Sequence, residues 1–116
     1  MGNGTEDLQG KTLAQLEALR TKLTSADWQI QMMNCSAAEQ GQNANLLILL
    51  DARIAQLEDV QFAQIQRNID ACQAELNDAI VGVQNALTDM NDVGKVLATA
   101  STLLKVVGQV VAVVAL

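Results

Sequence analysis

The 116-residue chain has no histidine, no proline and no tyrosine, and its only aromatic residues are Trp28 and Phe62. Without histidine, the usual general base at neutral pH is gone, and so is the commonest nitrogen ligand for zinc and iron. Ser-His-Asp and Cys-His catalysis are excluded by composition, as is a bundle di-iron centre built on Glu-x-x-His. Two aromatics give almost no stacking platform for single-stranded nucleic acid. The missing proline removes the strongest helix breaker, and the abundant Ala, Leu, Gln and Glu are good helix formers. The chain therefore reads as all-α, and its length suits one domain.

Acidic residues are missing from one region only. Residues 93–116 contain none and carry just Lys95 and Lys105, whereas residues 1–92 hold five basic and thirteen acidic side chains. The body is thus −8 and the tail +2, for a net charge of −6. An acidic body repels a phosphate backbone, so no nucleic-acid partner is expected. Cys35 and Cys72 have no CxxC spacing and lie among apolar helical positions, which suits buried free thiols. Met1 to Gly10 has no apolar run, so no signal peptide is read there, and a cytoplasmic location or a leaderless export route is expected. No activated nucleophile, metal-ligand set or phosphate-binding loop stands out. The expected catalytic, cofactor-binding and metal residues are none, and a non-enzyme is expected.

Residues 1–11, with three glycines, read as a flexible lead-in. Thr12-Leu13-Ala14-Gln15 matches a capping box, which predicts a helix over 13–40. Leu16, Leu19, Leu23, Ala26, Ile30, Met33 and Ala37 then alternate spacings of three and four, a heptad seam. Gly41 with Asn43 reads as a helix stop followed by a new cap, which would make the flanking helices antiparallel neighbours. The second helix, over 43–92, opens on Leu46 to Leu50, apolar all round. It continues with Ile54, Ile65, Leu76 and Leu87 at eleven-residue intervals, with Ile69, Cys72, Ile80 and Val83 filling the same seam. Eleven residues in three turns keeps a seam on one side of a nearly straight helix. Thr88 to Gly94 is polar and ends on glycine, so the second helix is broken there and a third is expected over 95–114.

The tail carries the sharpest pattern. On a helix, Lys95, Thr99, Thr102, Lys105 and Gln109 form one narrow polar stripe, and the rest of the circumference is Val, Leu and Ala. Three covers for the apolar surface compete: the rest of the fold, neighbouring copies of the chain, or lipid. A simple membrane anchor fits poorly, because about 20 apolar residues are needed to span a bilayer and Lys105 would sit near the middle of the span. A helical pore with the stripe facing water fits better.

The expected fold is an antiparallel helical hairpin with a long second helix and a C-terminal third helix, forming a three-helix bundle or an elongated coiled-coil-like assembly. The expected role is a non-enzymatic, self-associating or partner-binding structural protein, with a homo-oligomer or protein partner. Packing and assembly are assigned to Leu16, Leu23, Ile30, Ile54, Ile65, Leu76, Leu87, Leu104, Val107, Val111 and Val114. The alternative is a membrane-active protein, such as a subunit of a bacterial or phage-encoded pore or secretion apparatus, whose tail contacts lipid.

Overall fold

The computed structural model describes the backbone of residues 4–59 and 62–112 and the side chains of residues 9–59 and 70–111. These residues are all-helical, in five helices: α1 (Gly4–Leu23), α2 (Ala26–Met33), α3 (Ala37–Asp59), α4 (Phe62–Leu87) and α5 (Val93–Ala112). No strand occurs among the described residues. Five helices replace the three expected, and the differences have identifiable local causes.

The helix expected over 13–40 is divided among α1, α2 and the start of α3. Ser25 ends the run by capping α2, its hydroxyl accepting from the Trp28 amide at 3.3 Å. Ser36 and Glu39 then form a reciprocal capping box. The Glu39 amide donates to the Ser36 hydroxyl at 3.1 Å, and the Ser36 amide donates to Glu39 Oε1 at 3.3 Å. Each serine satisfies donors that a helix start leaves unpaired. Gln40 secures the other side of this break by donating to the Met32 and Cys35 carbonyls at 3.0 and 3.2 Å.

Two other expected landmarks lie inside helices. Thr12 is a buried residue within α1, 1% exposed, so it does not cap that helix. Residues 4–11, expected as a flexible lead-in, belong to α1, while residues 1–3 lie outside the described residues. The start of α1 is held from outside the helix. Gln9 Nε2 donates at 2.9 Å to the Leu57 carbonyl, near the end of α3, where helix carbonyls lack partners of their own. Gly41, expected as a stop, is inside α3 with open space where a Cβ would sit.

The directions of the helices follow from their contacts. Gln9 meets Leu57, Arg20 meets Asp51 and Trp28 meets Asn43, so α3 runs antiparallel to α1 and α2. Gly82 faces Thr99 across the α4–α5 pair, and a groove there joins Glu75 to Val106, so this pair is antiparallel. Arg53 reaches Leu104 while Leu49 and Leu46 border Ser101, so α3 and α5 run parallel. It follows that α3 and α4 point in opposite directions. The expected single helix over 43–92 is therefore two helices, with residues 60–61 outside the described residues.

Length explains why the long helix is not used. Fifty helical residues would extend about 75 Å at about 1.5 Å per residue, whereas the molecule measures 46 × 28 × 19 Å. An uninterrupted helix would leave half of its apolar seam uncovered. Reversal instead lets α1 and α5 each pack against both α3 and α4. Ile54 and Leu57 from α3 and Leu76, Ile80 and Val83 from α4 thereby enter one core.

Candidate functional site

Among the described residues, helix α5 contributes more side chains to that core than any other helix. Val96, Leu97, Ala100, Leu103, Leu104, Val106, Val107, Val110 and Val111 are all buried. Their spacing leaves one strip outside, where Lys95, Ala98, Ser101, Thr102, Lys105 and Gln109 are exposed and Thr99 is half-buried. Valine is a modest helix former, but packing on both sides outweighs that preference.

Of the remaining residues read as packing positions, Leu16, Leu23, Ile54 and Leu76 are buried, and Leu87 is half-buried against the core. Ile30 is a correction. The heptad spacing puts it on the seam, yet it is 60% exposed. The Thr24–Ser25 break restarts the helical phase, so α2 turns Trp28 and Met32 inward and leaves Ile30 and Met33 outside. Ile65 and Ile69 have no described side chain, and Val114 lies outside the described residues.

The two stripe threonines direct their hydroxyls into their own helix. Thr99 donates to the Lys95 carbonyl at 2.8 Å and Thr102 to the Ala98 carbonyl at 3.0 Å. Such back-bonding satisfies the hydroxyl and presents a methyl group and a small polar edge to the surface. The sole ion pair among the described residues is Arg20 to Asp51 at 3.1 Å, both more than half exposed. Lys95 and Lys105 therefore form no salt bridge with the nearby acids of α4.

A groove flanks the α5 strip on each side. The one toward α4, of about 410 Å³, is lined by Glu75, Asp78, Ala79, Gly82, Ala98 and Thr99 among others. Small residues at Ala79, Gly82 and Ala98 create it, because the helices meet with little side chain between them. The groove toward α3, of about 490 Å³, runs between Gly41 and Leu49 on one side and Ser101 on the other.

Further along the same seam, Arg53 lies across α5. Its Nε donates to the Leu104 carbonyl at 3.1 Å, and its Nη1 donates to Gln56 at 2.8 Å. Gly108 makes room for it, since a Cβ there would sit 2.7 Å from Nη2. Sequence reasoning missed Arg53 and Gly108. An isolated glycine within an apolar helical run was the available signal for close approach by another group.

Outside α5, the surface carries few organised features. Trp28 is buried and donates through Nε1 to Asn43 Oδ1 at 2.9 Å, which anchors α2 on α3. Cys35 and Cys72 are half-buried free thiols rather than fully buried ones. Among the described residues, no group of three acidic or cysteine side chains is placed to hold a metal ion. Comparison with protein-family models, curated proteins and solved structures returns no match.

Proposed function

We propose that this chain is a non-enzymatic helical protein that acts by self-association or by binding a partner helix, with α5 as its packing and assembly element. The observation that supports this most directly is the division of α5. Its inner face lies in the core, while its outer strip carries the small residues Ala98, Ser101 and Thr102 between the exposed Lys95 and Lys105 and is flanked by grooves. The small residues let another helix approach closely, and the two lysines favour a partner that brings acidic side chains to them. Among the described residues, Ile30, Met33, Ile48 and Val81 are further exposed large apolar side chains, spread over α2, α3 and α4.

Light scattering coupled to size-exclusion chromatography tests the self-association branch on the full chain from micromolar to near-millimolar concentration. A mass that rises with concentration is expected. A strict monomer throughout would leave only the partner-helix branch.

A second reading, membrane contact, has one specific observation in its favour. Among the described residues, Val93–Val111 is the one helical stretch long and apolar enough to cross a bilayer. Half of that stretch is buried in the core, so insertion would first require α5 to leave α3 and α4. Co-sedimentation with anionic vesicles at low salt separates the two readings. Vesicle binding with loss of near-ultraviolet circular dichroism supports insertion, and a chain left in the supernatant removes it.

A further inference from the structure

We propose that the α4–α5 face is the self-association surface, and that its occupant is the same face of a second copy, related by a two-fold axis parallel to the helices. The inference rests on the self-association reading above and specifies which face carries it.

The two helices bordering the groove carry opposite charge. Along the described part of α4, the charged side chains are Asp70, Glu75 and Asp78, all exposed. On α5 they are Lys95 and Lys105, also exposed, and α5 contains no acid. The register is set by Gly82 opposite Thr99. Seven residues back on α4 and seven forward on α5 bring Glu75 level with Val106, beside Lys105.

A two-fold axis parallel to the helices keeps each residue at its level and lays α4 of one copy over α5 of the other. Glu75 and Asp78 then stand over Lys105 of the second copy, and the reverse contact forms by symmetry. This is the self-complementarity that an isologous interface needs. The small groove residues let the two layers approach closely, and the charges sit at the rim, where they set register and partner choice. The opposite arrangement, with α4 over α4, would oppose acid to acid.

The available area suits a reversible dimer. A 20-residue helix is about 30 Å long, and two helices about 10 Å apart present a face about 20 Å wide. That is on the order of 600 Å² per copy, near the lower end for specific interfaces. A dimer that dissociates on dilution and weakens with salt is therefore expected.

Sedimentation velocity on the full chain over a concentration series tests the arrangement. Reversing the acid with E75K, or its facing lysine with K105E, should weaken the dimer several-fold to about tenfold. Combining the two substitutions should recover most of the lost affinity, because the two charges are again opposite and the net charge is unchanged. Ala98→Arg, which places a long charged side chain in the groove, should abolish dimerisation. All three positions are exposed, and far-ultraviolet circular dichroism with the thermal midpoint checks that each variant folds. A dimer that neither charge reversal nor Ala98→Arg weakens overturns this face while leaving self-association in place. A combined variant no stronger than the two reversals overturns the two-fold pairing. A wild-type monomer at every concentration overturns both the face and self-association.

Discussion

Gly41 shows how one residue can carry opposite meanings. Read in sequence, a glycine followed by Gln42 and Asn43 resembles a helix stop. In the structure it is the fifth residue of α3, inside the helix, exposed and with nothing within 4 Å of a Cβ position. Glycine inside a helix costs about 0.5–1 kcal/mol relative to alanine, so Gly41→Ala should stabilise the fold by about that amount. Chemical denaturation measures it, and a destabilised variant would place a turn at Gly41 after all. Trp28 makes the contrasting case, because it is buried and bonded. Trp28→Phe removes the Nε1 donor to Asn43 and part of the indole volume, leaving the Asn43 oxygen short of a partner. A loss of about 1–3 kcal/mol follows. The surface pair Arg20–Asp51 should matter little, and Asp51→Asn should shift stability by less than about 1 kcal/mol.

At the scale of elements, the boundaries are set by short polar side chains. Ser25 caps α2, Ser36 with Glu39 caps α3, and Asp92 caps α5 by accepting from the Lys95 amide at 3.1 Å. Removing such a cap costs about 0.5–2 kcal/mol, and Ser36→Ala and Asp92→Ala should each fall in that range by thermal unfolding. The Ser36-Ala37-Ala38-Glu39 box was fully legible in the sequence, since it has the same form as Thr12 to Gln15. What the sequence could not show is which of the two operates. Thr12 is the ninth residue of α1, so the chain before it is already helical and it cannot be that helix's N-cap. Ile30 follows the same logic. Its spacing fits the seam, but the break at Ser25 changes the helical phase before the chain reaches it.

For the whole molecule, α5 supplies more buried core residues than any other helix among the described residues. Leu103 and Leu50 are fully buried, and replacing either by alanine should cost about 2–5 kcal/mol. Deleting residues 106–116 removes Val106, Val107, Val110 and Val111 from the core. At about 1.5–3 kcal/mol per buried valine, that loss rivals the whole stability of a small domain, about 5–15 kcal/mol. The truncated chain should therefore lose its cooperative unfolding transition in circular dichroism. Truncation cannot isolate an assembly contact for that reason, and exposed substitutions such as Ala98→Arg must do so instead.

The sequence by itself determined the helical class, the absence of histidine chemistry and the facing of the tail. The 3.6-residue period and the lysine and threonine spacing place one polar strip on α5 whatever it packs against, because these are properties of a single helix. Tertiary structure alone decided where the chain reverses. No proline or glycine marks the passage from α3 to α4, and the eleven-residue repeat runs through it without interruption. The repeat reports that a seam exists but not what covers it. A single helix of about 75 Å would satisfy the same pattern as two shorter ones, yet only the folded-back pair can bury the seam against α1 and α5. That choice is made by burial of apolar area between distant segments, which no local signal records.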